Sequence, residues 1–431
     1  MNQSYISAKE NIEKRRAACE RFPDDVAAWL DLGRALVDAN DFAAAENALE
    51  KIFEAGKLLG KLFSFKNGVP RVRLSALRHY RRNRFLYAKA YADMAMVSVH
   101  QANLAEAERL LTMALTVFEK EGDDAEYARA ANRLGLVYRL AGAFESAEEA
   151  HYRAKGLAEK HGWDDVLAET LGNLGMVYEG KERFDLAIEQ HGAALALYEK
   201  SGSERRFDAA CVLRQIGLCL LRKGDGGKAL ETFDRAEKGF EQIGDFRLQS
   251  LVLNETALAY QKRGNLTAAL KTAKKAVTVA EKSGDGFEMA RNKLLCAGLK
   301  TEKNPRDKSI DGLLIDATDY FGKNGKKAEL ANALAAFGLA LLRRGDLDGA
   351  ESRFRDSVRI EEMLHRGLGA ASDYGNLGLI AQKKGQNEKA ADYWRKAAFL
   401  FEQSGDVETA VDFVRRAAEA TAAVATIPIR T

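Results

Sequence analysis

Proline is almost missing from this 431-residue chain, which has four: Pro23, Pro70, Pro305 and Pro428. Proline lacks an N–H and clashes with the preceding helical turn, so its scarcity leaves long stretches free to be helical. Cysteine is equally sparse. Cys19, Cys211, Cys219 and Cys296 are scattered with no C-x-x-C pair, which argues against a disulfide framework or zinc site and suits a reducing cytoplasm. No apolar run approaches the roughly eighteen residues that a membrane span needs. The opening MNQSYISAKENIEKRR lacks the apolar core of a secretory leader. Net charge is small too, with 66 Lys and Arg against 63 Asp and Glu, so the total says little about partners. There is no phosphate loop, no H-E-x-x-H helix and no nucleophile elbow. Carboxylate pairs such as Glu148-Glu149 and Glu361-Glu362 read as solvated helix faces. The expectation is a protein with no catalytic residues, no metal and no cofactor.

What the chain does have is repetition. NRLGLVYRLAGAFESAEEAHYRA (132–154), GNLGMVYEGKERFDLAIEQHGAA (172–194) and GNLGLIAQKKGQNEKAADYWRKA (375–397) are variants of one pattern. A small residue marks the middle of each unit: Gly33, Ala95, Gly135, Gly175, Gly217, Ala257, Ala297, Gly338 and Gly378. After a first step of 62, the spacing stays between 40 and 42 residues. A second small column runs through Ala45, Ala107, Ala147, Ala187, Ala229, Ala269, Ala350 and Ala390. Two antiparallel helices can approach closely only where one presents Gly or Ala, and the apolar spacing of three and four residues is helical. Segments such as EKEGD (119–123) and EKSGD (281–285) then supply a left-handed glycine cap and an Asp for the next helix start. One helix pair cannot bury its faces alone, so neighbouring pairs must stack.

These columns resemble tetratricopeptide repeats. The 40-residue period is similar to the extended variety in kinesin light chains and spindle-orientation adaptors. The resemblance implies an all-α fold, a right-handed superhelical solenoid of antiparallel helix pairs. It divides the chain into a capping helix (1–25), a first repeat (26–59), a basic insertion (60–84), repeats two to six (85–285), a degenerate repeat (286–325), two further repeats (326–402) and a capping helix with tail (403–431). The degenerate repeat, with Lys303-Asn304-Pro305 where a tight turn belongs, is expected to keep stacking on its neighbours, with a boundary between two subarrays there as the alternative.

The resemblance also implies a non-catalytic cytoplasmic scaffold that holds an extended, partly acidic protein or peptide segment along the first helix of each pair. Candidate groove residues are Arg129, Asn132, Arg133, Asn173, Arg214, Gln215, Asn254 and Asn376, because Asn pairs with extended backbone and Arg clamps carboxylates. Peptide-sensing regulation is an alternative. Chaperone-clamp repeats carry Asn just after the central glycine, whereas here those positions are Arg34, Leu136, Met176, Leu218, Leu339 and Leu379. That subfamily does not fit.

A second surface stands apart. Residues 55–92 contain no Asp or Glu but ten basic residues, among them Arg71, Arg73, Arg78, Arg81, Arg82 and Arg84, interleaved with Phe63, Phe65, Tyr80, Phe85 and Tyr87. Such a stretch suits nucleic acid or an anionic membrane, or is a solvated linker helix starting near Pro70. His151 and His191, in equivalent columns, read as packing residues without enough neighbouring ligands for a metal. Cys211 and Cys219 read as core.

Overall fold

A computed structural model describes residues 3–22, 25–57, 63–66, 69–72 and 74–425, with side chains placed for 9–22, 25–52 and 83–422. Their backbone is helical apart from turns and one short hairpin. The chain falls into two compact units, Met1–Lys223 and Gly224–Thr431. The division lies at Lys223–Gly224, and within the second unit the helices of the degenerate repeat form an ordinary packed pair.

The first unit begins with α1 (Gln3–Arg21), which packs on α2 (Val26–Asp38). Antiparallel pairs follow: α2 with α3 (Phe42–Lys57), α4 (Leu74–His100) with α5 (Leu104–Glu121), α6 (Asp124–Leu140) with α7 (Phe144–His161), and α8 (Asp164–Gly180) with α9 (Phe184–Lys200). α10 (Arg206–Lys223) closes the unit against α9. The leading helices also touch one another, α2 on α4, α4 on α6 and α6 on α8. They therefore form a continuous face. The one 42-residue step has a local cause: a 3-10 turn, Gly202–Arg205, precedes α10.

The second unit begins with α11 (Gly226–Ile243) on α12 (Phe246–Lys262). It continues with α12 against α13 (Leu266–Ser283), α14 (Gly286–Lys303) against α15 (Ser309–Lys323), α16 (Lys327–Arg344) against α17 (Leu347–Met363), and α18 (Gly367–Lys383) against α19 (Asn387–Gln403). α20 (Val407–Ala425) lies on α19.

The small central residues do what close packing requires. Five of the glycines sit on a leading helix opposite a larger side chain of the trailing helix. A Cβ on Gly33 would stand 2.5 Å from Leu49, on Gly135 2.5 Å from His151, on Gly175 2.4 Å from His191, on Gly338 2.9 Å from Phe354, and on Gly378 2.3 Å from Trp394. All five partners are almost fully buried. Where the leading helix carries Ala257, the trailing helix answers with Ala273, and both are at 0% exposure.

Helix ends follow the expected punctuation. Gly122, Gly162, Gly244, Gly284 and Gly345 adopt positive φ at helix C-termini. Asp123 accepts from the Glu126 N–H at 2.9 Å and Asp245 from the Leu248 N–H at 2.9 Å, each satisfying a free amide of the next helix.

The hairpin departs from expectation. β1 (Phe63–Lys66) and β2 (Val69–Val72) pair antiparallel, with Phe63 opposite Val72 and Lys66 opposite Val69. Pro70 therefore lies in a strand and does not start a helix, and α4 begins at Leu74. An isolated two-stranded ribbon has edges free of central pairing, where proline is tolerated. Asn67-Gly68, the dipeptide most favoured for two-residue hairpin loops, was the available signal.

Candidate functional site

On the continuous face of α2, α4 and α6, one turn of helix moves a side chain through a full circle, so adjacent residues point 100° apart. Residues two places before the central small residue face outward from the stack. Asp93 and Arg133 occupy that place in successive leading helices and meet: Arg133 donates to Asp93 Oδ1 at 2.7 Å. Arg34 donates to the other carboxylate oxygen at 2.7 Å. Asp93 is only 1% exposed, while both arginine side chains are 32% exposed. The result is a buried carboxylate gripped by two half-open guanidiniums. Burial by itself would lower the Arg34 pKa, but the Asp93 charge and hydrogen bond outweigh it and hold the guanidinium more firmly protonated.

Glu126 makes a second node. It accepts from Lys89 at 2.9 Å and Arg129 at 3.4 Å, with Arg34 at 3.9 Å. Together Arg34, Val37, Asp38, Ala92, Asp93, Glu126, Arg129, Ala130 and Arg133 surround a cavity of about 240 Å³. The cations of this face extend along it, since Arg129, Arg133 and Arg205 all act electrostatically on Glu169 of α8.

The other sequence candidates are distributed unevenly. Asn173, Arg214, Gln215 and Asn376 are half-buried on their leading helices. Asn132 and Asn254 are 2% and 4% exposed and do not reach the face. They stand three places before the small residue, and that single step turns them inward. Asn132 bonds His151 Nδ1 at 2.7 Å, and Asn254 donates to Asn292 at 2.8 Å. Arg34, Asp93 and Glu126, which border the same cavity, were not among the sequence candidates. Of the three, only Asp93 carried a column signal, since it stands two places before its central small residue as Arg133 does. Glu361, expected on a solvated face, is instead 2% exposed, with Arg366 at 3.3 Å.

Of the basic stretch, the side chains of Arg71, Arg73, Arg78, Arg81 and Arg82 lie outside the described residues. Arg84 pairs with Glu121 of α5, and Lys89 with Glu126 of α6. The described end of the stretch is thus tied to acids of neighbouring helices. His151 is fully buried, and burial first, then the nearby Arg139 charge, push its pKa down to about 4. It packs as a neutral ring. His191 does not stand alone: Glu179, His191 and Cys219 place their ligand atoms within 4.8 Å of one another. Burial, then the Glu179 charge, push the Cys219 thiol up to about 12. Among the described residues no helix is long and apolar enough to cross a membrane.

Known proteins bear on this architecture. No curated protein sequence matches the chain. One tetratricopeptide-repeat model matches residues 86–160, 166–242 and 208–282, and a second matches residues 15–56. Among solved structures, the apo form of the quorum sensor NprR from B. thuringiensis is similar with a TM-score of 0.55 and 14% identity, over 89% of this chain and 99% of that one. Aspartyl phosphate phosphatase F from Bacillus subtilis follows with a TM-score of 0.54 and 16% identity, over 84% of this chain and 95% of that one. The apo form of RapI has a TM-score of 0.50 and 17% identity, over 65% of this chain and 99% of that one. At such identities the likeness is one of fold. The repeat models together take in more than half of the chain, the helix pairs recur in phase on both sides of residue 223, and the small-to-large contacts repeat with them: this chain is a tetratricopeptide-repeat protein.

Proposed function

We propose that this protein is a non-catalytic binding scaffold whose α2–α4–α6 face holds an extended, carboxylate-bearing segment of a partner protein. The observation that carries this is the Arg34–Asp93–Arg133 bridge with the exposed Arg129 beside it, around an open cavity. Four cations, Arg34, Lys89, Arg129 and Arg133, meet three carboxylates, Asp38, Asp93 and Glu126, which leaves one positive charge in excess. The internal carboxylates hold the guanidiniums in place before a ligand arrives. An incoming Asp or Glu then meets pre-oriented forks, and less side-chain entropy is lost on binding. Ala92, Ala130 and Val37 give the floor an apolar character suited to the spacer side chains of a peptide. The four free thiols fit a reducing, cytoplasmic setting.

A sensing role is the second reading, favoured by the similarity to a quorum sensor over 89% of this chain. In that reading the bound segment is a signal rather than a cargo. Both readings share the face and differ in the ligand's size.

The test is a display selection of random peptides on the full chain, followed by titration of the winners against variants. Arg129→Glu is the informative change, because Arg129 is 55% exposed and pairs only loosely with Glu126. Enriched peptides should carry Asp or Glu, and the variant should weaken them by about tenfold or more at unchanged fold. Selected peptides without acidic residues, or affinities indifferent to Arg129→Glu, would remove this face from consideration. Steeper loss with salt than a single ion-pair contact explains would point to the basic 55–92 stretch instead.

A further inference from the structure

The two histidines of the trailing-helix column occupy the same place in successive repeats, yet their surroundings differ in three positions at once. Around His151 stand Asn132, Arg139 and Val177. The corresponding residues around His191 are Gly172, Glu179 and Cys219. Asn132 supplies an oxygen to His151 Nδ1 at 2.7 Å. Gly172 cannot, and among the described residues His191 Nδ1 has no partner although the side chain is 1% exposed. The ring engages Glu179 instead, with Nε2 at 2.7 Å from Oε1. Cys219 replaces a valine of the preceding repeat and is itself 1% exposed. Two of these differences thus bring a carboxylate and a thiol to the imidazole that both repeats share, with all ligand atoms within 4.8 Å, and the third removes its Nδ1 partner.

We propose that Glu179, His191 and Cys219 form a binding site for a divalent transition ion of borderline softness, Zn²⁺ or its substitute Co²⁺. One nitrogen, one sulfur and one oxygen donor match the ligand preferences of these ions, and three protein ligands leave a fourth tetrahedral position for water. Glu179 is 25% exposed, which gives that position a route to solvent. Binding forms bonds from the ion to Sγ, to the imidazole nitrogen facing Glu179 and to a carboxylate oxygen. The thiol proton leaves to solvent, and the ring proton moves to the other nitrogen. The ion would tie α8, α9 and α10 together, joining a helix pair to the next leading helix. Arg139 and Val177 deny the same chemistry to His151, so the chain carries its own negative control.

The experiment is a Co²⁺ titration of the full-length, chelator-treated protein, followed by absorption and then by Zn²⁺ displacement. The expected result is one Co²⁺ per chain, with thiolate-to-cobalt charge-transfer absorption that Zn²⁺ abolishes. Cys219→Val installs the residue of the preceding repeat; it should eliminate that absorption and weaken binding by at least about tenfold. Glu179→Gln, on a partly exposed side chain that leaves the core intact, should weaken binding similarly with an unchanged helical signal. Cys296→Ala, at a buried thiol elsewhere, should change neither. Absence of the charge-transfer absorption in the wild type, its survival in Cys219→Val, or its loss in Cys296→Ala would each overturn the site.

Discussion

The two units use one repeat frame but fill it differently. In the first unit the larger residues opposite the small column include His151 and His191, and the leading helices are bridged by Asp93 between two arginines. In the second unit the opposing residues include Phe354 and Trp394. Turns differ as well. Within the helix pairs of the first unit, Asn40, Ala102 and Glu182 join Gly142 at positive φ, while the second unit uses Gly264, Gly345 and Gly385 within pairs and His365 between them. Buried polar groups occur in both units, Asp93, Asn132, His151 and His191 in the first and Gln249, Asn254, Asn292, Glu361 and Asp373 in the second, so the units differ in which groups they bury and not in whether they bury them. Departures from local rules tend to collect at functional positions.

The largest expected effects test the two kinds of key. Trp394 is 2% exposed and fits against Gly378. Trp394→Ala should cost about 3–5 kcal/mol in urea unfolding, because transfer and cavity terms add. Asp93→Ala leaves Arg34 and Arg133 crowded without their shared anion and should cost about 3 kcal/mol. The diagnostic is salt. Raising ionic strength should narrow the gap between Asp93→Ala and wild type by screening the orphaned guanidiniums, and should leave the Trp394→Ala gap unchanged. Equal salt responses would dissolve the distinction between a charge key and an apolar key.

Protons sharpen the comparison next, with opposite signs in the two units. His151 has its pKa lowered from 6.5 to about 4, so the unfolded chain binds the proton first as pH falls. Its contribution is present above 6.5 and is lost toward 4. Asp373 is 3% exposed, and burial above all, with the Glu361 charge adding, raises its pKa from 3.8 to about 7. Here the folded state holds the proton longer. That contribution is present below 3.8 and is lost as pH rises through 7. Asp373→Asn should melt close to wild type at pH near 4 and progressively above it toward pH 8. His151→Leu should do comparatively better as pH falls from 6.5. A thermal-melt series across pH that shows parallel curves for either variant would refute the corresponding assignment.

The fold was legible because its signals are local and repeated: a small residue every 40, an apolar spacing of three and four, and glycine followed by Asp at helix ends. The face was only partly legible. Arg129 and Arg133, singled out because charged residues beside the small column must point somewhere polar, both border the cavity. Asn132 and Asn254 were misplaced by a single step of helix rotation, which composition cannot reveal. Asp93 was overlooked because its value depends on Arg34 and Arg133, 59 and 40 residues away. The Glu179–His191–Cys219 cluster was illegible for a similar reason. Cys219 looks like an ordinary apolar core position until α10 is laid against α9. The hairpin was missed because strong helical patterning on both sides drew attention from the Asn67-Gly68 signal.

The smallest predicted effect concerns the turns. Ala102 sits at φ 59 between α4 and α5, and Glu182 at φ 56 between α8 and α9. A Cβ in the left-handed region crowds the following carbonyl and costs about 1 kcal/mol relative to glycine, part of which is offset by glycine's greater freedom in the unfolded chain. Ala102→Gly and Glu182→Gly should therefore each stabilise the first unit by about 0.5 kcal/mol, seen as a later urea midpoint at constant slope. The reciprocal change Gly264→Ala in the second unit, at φ 73, should destabilise it by about 1 kcal/mol. Since Ala102 precedes Asn103, whose side chain caps α5 through the Glu106 N–H at 3.3 Å, the gain depends on that cap surviving. If Ala102→Gly destabilises, the turn geometry is enforced by packing and the first unit is less strained than its dihedral angles suggest. If both variants stabilise, the strain is real and local, and it can be relieved without touching the α2–α4–α6 face.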